Sequence, residues 1–409
     1  MDAARPGDAA TLLRTTGAVR ARSAQLLDRA RSGDSRWFTV DDDALHGTAD
    51  EVAAVTRQRF PDLEIPYHSR WRHFEVGGID RRAELERLLG DAEPRERARA
   101  MIDLTVVSVL LDAGAGADWG YVETRHDGRP RFTRSEGLAV ASWHGFAAGA
   151  FSGDAARPLR VDAGGLRNLD EQALAAVLQV TPQNPLVGLD GRVTLMRRLG
   201  DALAAQPDVF GDEGRPGMLF DDLAASGAVH AHDILVRLLV SLSRIWPSRN
   251  VIGDVALGDC WRHEAVSGPG LTAGWLPLHK LSQWLTYSLI EPFVWAGVEV
   301  AGIDALTGLP EYRNGGLLLD SGALALRDPG VGGQTWTPDD ELVVEWRALT
   351  VGLLDELAPL VRDRLGADGR HMPLACVLEG GTWAAGRASA QRLRGGLPPL
   401  SVTSDGTVF

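Results

Sequence analysis

Three residues of contrasting chemistry are adjacent in the stretch GLPEYRNGGLL, residues 308–318, namely Glu311, Tyr312 and Arg313. Pro310 precedes them and two glycines follow, which predicts a loop or a short strand edge with a constrained backbone. A carboxylate, a phenol and a guanidinium held side by side indicate a site that needs an acid and a base together. Glu311 is therefore a candidate catalytic residue, and Tyr312 and Arg313 are candidate substrate-binding residues.

Two further stretches are rich in side chains that can take part in catalysis or ligand binding. HSRWRHFEVGGIDR, residues 68–81, contains Arg70, Arg72 and His73 beside aromatic residues, which favours a pocket for an anion or a polar substrate. It lacks the histidine spacing of a metal site, so we expect no metal. DCWRH, residues 259–263, adds Asp259 and His263 as candidate acid–base residues. Trp261 in the same stretch is a candidate for substrate binding, and Cys260 leaves cysteine–histidine nucleophilic catalysis open.

Lys280 is the only lysine among the 42 lysine and arginine residues. With Gln283, Tyr287 and Glu291 it forms a polar stripe at helical spacing, which is either a solvated face or one wall of a pocket. Glu345 and Arg347 begin a long apolar helix, VEWRALTVGLLDELA. Glu345 can be a simple capping residue, whereas a buried Arg347 requires a carboxylate or an anionic ligand as partner. Glu311 and a phosphate are the partners considered.

Composition limits the classes of protein to which this chain can belong. The 409 residues are 44% apolar and 24% charged, which is typical of a globular protein with a substantial core. A net charge of −13 argues against nucleic acid as a partner, and the two cysteines exclude a disulfide framework. No long apolar run or signal-peptide pattern appears, so we expect a cytoplasmic protein that binds no membrane. The oligomeric state stays open.

Helical periodicity dominates the chain, with a minority of short strands, and predicts a mainly α protein. An Asp-Gly pair at 127–128 between alternating segments predicts a β-hairpin near 119–133. We expect either one large domain over residues 1–409 or two lobes, 1–180 and 181–409, of which the second carries most pocket residues.

Several blocks resemble the uncharacterised proteins associated with uracil catabolism in fungi and bacteria, the URC or Urg family. The blocks are IPYHSRWRHFEVGG, IDLTVVSVLLDAGAG, LPLHKLSQWLTYSLIEP, LTGLPEYRNGG, VVEWRALTV, LEGGTWAAGR and the final SDGTVF. The resemblance covers essentially the whole chain. It implies a role in breaking down uracil by a route other than the reductive one, without naming the catalytic step.

A more distant resemblance, to queuosine salvage proteins, indicates a type of reaction. Those proteins hydrolyse the N-glycosidic bond of a nucleoside 5′-monophosphate and have a helical, DNA-glycosylase-like core. Matching positions here are Asp103, Arg192, Lys280, Gln283, Tyr312, Arg313, Glu345 and Arg347, and Glu311 replaces an aspartate. The aromatic residues that follow the buried aspartate of that family are replaced here by VVSVL at 106–110, so the base-recognition surface differs.

The two resemblances together imply an N-glycosidase acting on a ureido-ribose 5-phosphate, without a cofactor. Glu311 would stabilise the oxocarbenium-like transition state, and Lys280, Arg313 and Arg347 would hold the phosphate. Asp259 or His263 would protonate the departing nitrogen. Two alternatives stay open, an amide or ureido hydrolase of the same pathway and a non-catalytic nucleotide-binding partner.

Overall fold

The computed structural model of the protein describes residues 3–126, 128–225, 227–246 and 250–403. Helices make up most of these residues, so the prediction of a mainly α fold is confirmed. The helices are α1 Pro6–Leu13, α2 Thr16–Ser32, α3 Asp42–Arg59, α4 Arg70–Phe74, α5 Arg81–Leu89, α6 Pro94–Leu110, α7 Arg134–Ala147, α8 Ala163–Asn168, α9 Glu171–Val177, α10 Leu189–Ala204, α11 Pro207–Phe210, α12 Leu219–Ala224, α13 Ala231–Leu242, α14 Lys280–Trp295, α15 Tyr312–Asp320, α16 Glu341–Leu365, α17 Leu374–Val377 and α18 Trp383–Arg394.

The strands are short and pair two at a time. They are β1 Phe38–Val40, β2 Tyr121–Val122, β3 Arg131–Phe132, β4 Ala228–His230, β5 Val251–Ile252, β6 Val255–Ala256, β7 Cys260–Arg262, β8 Trp275–Pro277, β9 Glu299–Ala301, β10 Leu324–Leu326, β11 Thr335–Trp336 and β12 Ser401–Val402. The antiparallel pair β2–β3 confirms the hairpin predicted near 119–133, although Asp127 of its turn lies outside the described residues. No described helix combines the length and apolarity that crossing a bilayer demands.

Residue contacts divide the described chain into two compact units. The first unit consists of the described residues of 1–68, 249–283 and 302–403, and the second of those of 69–248 and 284–301. Each unit is assembled from separate segments, and residue 180 lies inside a segment of the second unit. These contacts therefore divide the chain at other places than the 180/181 boundary considered from the sequence.

The first unit is built around α16, a helix of 25 residues that packs against α2 and α3. Burial extends to polar side chains near its start, because Glu345 and Arg347 are only 3% and 1% exposed. In the antiparallel pair β7–β8, Trp261 lies opposite Leu276, and α14 begins shortly after β8 ends. The long helix carries Glu345 and Arg347, and β7 carries Trp261, with Asp259 and His263 directly before and after it.

The second unit places α6 beside α7 and packs α8 against α10. Nearly every residue of α6 from Ala98 to Leu110 is buried, which agrees with the apolar pattern of that segment. The boundary between the units falls inside α14, after Gln283. Residues 281–290 of α14 are all buried, so the polar stripe that includes Gln283 and Tyr287 is not a solvated face.

The prediction of a loop or strand edge at 311–313 is wrong, because Tyr312 and Arg313 begin α15 and Glu311 is its N-cap residue. Glu311 caps this helix, and its carboxylate accepts hydrogen bonds from the backbone N–H groups of Arg313 and Asn314, both at 2.7 Å. The glycines that suggested a turn serve close contacts between helices instead. A Cβ atom on Gly315 would lie 2.8 Å from the ring of Trp346.

Candidate functional site

A buried ion pair between Arg347 and Asp259 lies within the first unit. The guanidinium binds the carboxylate with both Nη atoms, at 2.8 and 2.7 Å, and both residues are buried. The same carboxylate accepts the indole N–H of Trp261 at 2.6 Å and the backbone N–H of Lys280 at 2.8 Å. Four donors therefore fix one carboxylate, and four of the predicted residues meet at it.

This arrangement decides the protonation state of Asp259. Burial disfavours the charged carboxylate, but the adjacent charge and hydrogen bonds of Arg347 outweigh burial, so the pKa of Asp259 lies well below its ordinary value. An aspartate held ionised has no proton to give to a leaving nitrogen. Asp259 is suited to positioning Arg347, Trp261 and the start of α14, and it does not fit the acid role considered from the sequence.

The backbone carbonyl of Asp259 adds to this positioning. It accepts hydrogen bonds from the N–H groups of Leu278 and His279, both at 3.0 Å, so three successive residues before and at the start of α14 bind Asp259. His279 adopts a left-handed backbone conformation with φ of 50° where the chain turns from β8 into α14. Its ring Nε2 lies 2.9 Å from the carbonyl of Leu13. The position of Lys280 is thus set by contacts to its neighbours and to Asp259.

Arg347 also connects this cluster to the segment that carries Glu311. Its Nε donates to the carbonyl of Pro310 at 3.4 Å. The buried arginine has a carboxylate partner, one of the two kinds of partner expected, but this carboxylate belongs to Asp259 and not to Glu311. Asp259 occupies both Nη atoms, whereas the carboxylate of Glu311 faces the N–H groups of its own helix.

Arg313 lies against aromatic rings in the first turn of α15. Its guanidinium carbon is 4.7 Å from the ring centre of Trp383 and 5.0 Å from that of Tyr312. The residue is 4% exposed, and its Nη1 is buried with no hydrogen-bond partner among the described residues. A buried donor without an acceptor destabilises the fold, so this atom indicates a place where a ligand oxygen can bind.

A second carboxylate cluster lies near Trp383. The ring centre of His68 is 6.2 Å from that of Trp383, and His68 Nδ1 is 2.8 Å from Glu379. Arg59 binds the other oxygen of Glu379 at 2.9 Å. Burial disfavours the charge of Glu379, but the hydrogen bond to His68 and the nearby Arg59 lower its pKa below the ordinary value. Glu379 belongs to a π-helical turn, residues 378–382, a geometry common at functional sites.

Glu345 forms a hydrogen-bonded group with His263 and Ser35. The Ser35 hydroxyl accepts backbone N–H groups from Trp37 and Phe38, so its own proton is directed to Glu345. His263 Nδ1 accepts the backbone N–H of Ala265 at 3.2 Å, which places the ring proton on Nε2, 3.3 Å from Glu345. The hydroxyl proton goes to a carboxylate and not to an imidazole, so the group lacks the proton path of a nucleophilic triad.

Glu341 completes a set of donors that resembles a metal site. Ligand atoms of His263, Glu341 and Glu345 lie within 4.8 Å of one another, and one histidine with two carboxylates suits several divalent metals. A histidine that binds metal through Nε2 must carry its proton on Nδ1 and donate it. Here Nδ1 already accepts an N–H, and Trp37 donates to Glu341 at 2.9 Å. In the tautomer that these contacts favour, Nε2 of His263 is protonated and does not bind a metal ion.

Cys260 belongs to the core of the first unit. It is fully buried in an apolar cluster with Ala10, Leu257 and Trp275, among others. Burial and the negative charge of Asp259 raise the pKa of the Cys260 thiol far above its ordinary value. The thiolate is the nucleophilic form, so this environment disfavours cysteine catalysis.

The second unit contains the predicted residues Arg70, Arg72, His73 and Asp103. Arg70 is fully buried, donates to Ser108 at 2.7 Å and pairs with Asp112 at 2.9 Å, while one further nitrogen, Nη2, has no partner among the described residues. Arg72 pairs with Glu291 at 2.8 Å, and His73 lies edge-on to Trp284, with ring centres 5.7 Å apart.

Asp103 is fully buried in α6. Its carboxylate accepts Arg215 Nε at 2.7 Å and the backbone N–H of Gly217 at 2.6 Å. Burial raises the pKa of Asp103 to about 6, although the charge of Arg215 opposes this effect. The carboxylate is thus occupied in positioning Arg215.

Comparison with known proteins shows the family to which the chain belongs. Residues 12–409 match a family profile described as "Protein of unknown function (DUF1688)". The chain belongs to the DUF1688 family. Protein urg3 of Schizosaccharomyces pombe is 39% identical over 406 residues, which span 96% of each chain. Uracil catabolism protein 4 of Lachancea kluyveri is 36% identical over 433 residues, which span 97% of this chain and 98% of that protein. The resemblance to the URC or Urg proteins is therefore confirmed.

Ten of the fourteen predicted site residues of this DUF1688 member lie in its first unit. They are Asp259, Trp261, His263, Lys280, Gln283, Glu311, Tyr312, Arg313, Glu345 and Arg347. Gln283 is fully buried, and its Oε1 accepts the backbone N–H of Thr307 at 3.4 Å. Sequence reasoning did not select Glu379, Trp383, His68 or Ser35 as site residues. The glycine-rich block LEGGTWAAGR was the available signal for Glu379 and Trp383.

Proposed function

We propose that this protein acts in uracil catabolism and hydrolyses the N-glycosidic bond of a ureido-ribose 5-phosphate. The name of the relative from Lachancea kluyveri, uracil catabolism protein 4, supports the pathway, since the chain is similar to that protein over nearly its whole length. In the proposed reaction the bond between C1′ and the ureido nitrogen breaks, and a water oxygen bonds to C1′. One water proton passes to the nitrogen, so the products are urea and ribose 5-phosphate.

The observation that carries this proposal is that a fixed carboxylate, Glu311, lies two positions before a buried cation, Arg313, which has a donor without a hydrogen bond among the described residues. Both oxygens of Glu311 accept N–H groups of α15, which orients the carboxylate while the residue stays partly exposed. A preorganised negative charge stabilises an oxocarbenium-like transition state and can orient the attacking water. Glu311 takes both roles in this proposal.

Arg313 is the residue proposed to bind the phosphate. Its Nη1 lacks a partner among the described residues, and the rings of Trp383 and Tyr312 hold its guanidinium plane. A phosphate oxygen would satisfy this donor through a charge-assisted hydrogen bond. Lys280, whose backbone is anchored on Asp259, is proposed to add a second positive charge. Arg347 is less suited to this task, since Asp259 occupies both of its Nη atoms.

The geometry gives less support to the two other functions considered. A ureido hydrolase that attacks the carbonyl carbon requires a nucleophile or a metal-activated water. Cys260 is buried in the apolar core, and the proton of His263 lies on the nitrogen that a metal would need. A non-catalytic binding role would leave the orientation of the Glu311 carboxylate without a chemical purpose beyond capping α15.

The proposal is tested by incubating the purified protein with ribosylurea 5′-phosphate, ribosylurea and UMP, followed by mass spectrometry. Urea and ribose 5-phosphate should form from ribosylurea 5′-phosphate. Glu311→Gln should abolish turnover yet retain the fold, because the glutamine carbonyl can still cap α15. Glu341→Gln is the matched control and should retain activity. Intact ribosyl compounds after incubation with the unmodified protein would refute the proposal.

A further inference from the structure

The second unit contains a cavity of about 690 Å³ that none of the predicted site residues lines. Its volume is within the range of small-molecule sites. Six of the residues that line it are apolar, namely Leu88, Leu89, Pro158, Leu159, Phe210 and Met218. The charged lining residues are Arg99, Arg157, Arg160 and Arg215 together with Glu96, Asp212 and Glu213. Cations therefore outnumber carboxylates among the lining residues.

Arg215 is the most firmly held of these arginines. Its Nε binds the buried carboxylate of Asp103 at 2.7 Å, and its Nη1 binds Glu96 at 2.6 Å. The third nitrogen, Nη2, is buried with no hydrogen-bond partner among the described residues, and Arg215 itself is 7% exposed. A rigid, nine-tenths-buried guanidinium with an unused donor is suited to binding an oxygen of a ligand.

Arg160 repeats this feature on the same cavity. It is 4% exposed and binds Glu213 through Nη2 at 2.7 Å. Its Nε lies 3.2 Å from Asp162 but lacks the alignment of a hydrogen bond. The oxygens of Asp162 already accept the backbone N–H groups of Gly153 and Gly165. Two buried arginines on one cavity thus each retain a donor that no described group satisfies.

We propose that this cavity is a second ligand site, which binds a small organic oxyanion with an apolar body. Arg215 and Arg160 would bind the oxyanion, a carboxylate or a phosphate ester, while the apolar lining residues would contact the apolar part. An inorganic anion satisfies only the first requirement, and a neutral apolar molecule satisfies only the second. The site is independent of the reaction proposed for the first unit.

Isothermal titration calorimetry on the full chain separates these requirements with four probes. Phenyl phosphate and benzoate each carry an oxyanion and an aromatic body, inorganic phosphate lacks the body, and benzyl alcohol lacks the charge. We expect phenyl phosphate or benzoate to bind with one equivalent per chain. Either should bind at least about tenfold more tightly than inorganic phosphate and benzyl alcohol do. Comparing the first two probes shows which oxyanion the site prefers.

Variants assign the binding to the cavity. Arg215→Lys keeps a positive charge opposite Asp103 but removes the unused donor, so it should weaken binding at least about tenfold. Arg99→Lys is the matched control, because Arg99 lines the same cavity but is already bound to Asp221 at 2.7 Å and Glu96 at 3.2 Å. Leu159→Trp fills the cavity from a partly exposed position and should also weaken binding. If Arg215→Lys fails to fold, this variant still tests whether the ligand binds in the cavity.

Three results would overturn this inference. They are no binding of phenyl phosphate and benzoate, equal binding of benzyl alcohol, and binding that Leu159→Trp and Arg215→Lys leave unchanged. A phosphate site in the first unit is distinguished by Arg313→Met, which should leave phenyl phosphate binding to this cavity intact. Binding lost in Arg313→Met but kept in Leu159→Trp would assign the ligand to the first unit and refute the second site.

Discussion

Arg347 and Asp259 form a bidentate ion pair in which both carboxylate oxygens receive a guanidinium nitrogen, at 2.8 and 2.7 Å, with both side chains buried. The pair joins α16 to the residue just before β7, and through the remaining contacts of Asp259 it fixes the start of α14. Through Pro310 it also connects to the segment before α15. Residues that are far apart in the sequence thus become a single cluster.

Removing Arg347 alone should therefore be costly. Arg347→Met leaves the buried carboxylate of Asp259 without its counter-ion, and we expect the free energy of unfolding to fall by about 3 kcal/mol or more. Adding Asp259→Asn removes the orphaned charge and should restore part of this loss. Arg167→Met, which breaks the exposed pair with Asp201, is the control and should change stability by less than about 1 kcal/mol. Denaturant unfolding measures the free energy of unfolding of the unmodified protein and of these three variants. Equal losses of stability in Arg347→Met and Arg167→Met would contradict this prediction.

The same pair predicts how stability depends on pH. The folded-state pKa of Asp259 is below the ordinary value, so the folded state binds this proton less tightly than the unfolded chain does. The contribution of ionised Asp259 to the free energy of unfolding is complete above about pH 4, the ordinary aspartate pKa. This contribution disappears as the pH falls through the lowered pKa of the folded state. The stability difference between the unmodified protein and Asp259→Asn should therefore shrink below about pH 4. Denaturant unfolding from neutral to acidic pH measures it, and a constant difference would count against the ionised state.

The tautomer of His263 is a separate prediction. Because Nδ1 accepts the Ala265 N–H, we expect a neutral ring with its proton on Nε2, directed at Glu345. Long-range proton–nitrogen NMR on protein labelled in histidine distinguishes the two ring nitrogens, with His263→Gln providing the assignment. His263→Gln should also retain stability, since its amide can donate to Glu345. A proton on Nδ1 together with stoichiometric metal would contradict this prediction and favour a metal centre.

Arg313→Met tests how the phosphate is recognised. It removes the proposed phosphate donor and keeps the apolar contact with Trp383, so KM for ribosylurea 5′-phosphate should rise by about tenfold or more. Turnover of ribosylurea, which lacks the phosphate, should change little. Arg387→Met is a matched control, because Arg387 also lies over Trp383, at 5.4 Å. Equal losses on both substrates would indicate a structural role for Arg313 instead.

The sequence was informative where local pattern decides structure. Helical periodicity predicted the mainly α fold, and burial next to an apolar run predicted a carboxylate or an anionic ligand as the partner of Arg347. It failed at residues 311–313, because glycines that suggest a turn can equally mark close contact between helices, as Gly315 does against Trp346. The identity of Asp259 as that partner depends on residues 88 positions apart. No local pattern contains such a pairing, and the same holds for Glu379 and His68, 311 positions apart.

The most direct test of the proposed function follows the carbonyl carbon of the substrate. Ribosylurea 5′-phosphate labelled with carbon-13 at the ureido carbonyl is incubated with the protein, and carbon NMR identifies the labelled product. Cleavage of the N-glycosidic bond predicts labelled urea, released together with ribose 5-phosphate and absent with Glu311→Gln. Labelled bicarbonate or carbamate would show attack at the carbonyl carbon and would contradict the N-glycosidase proposal.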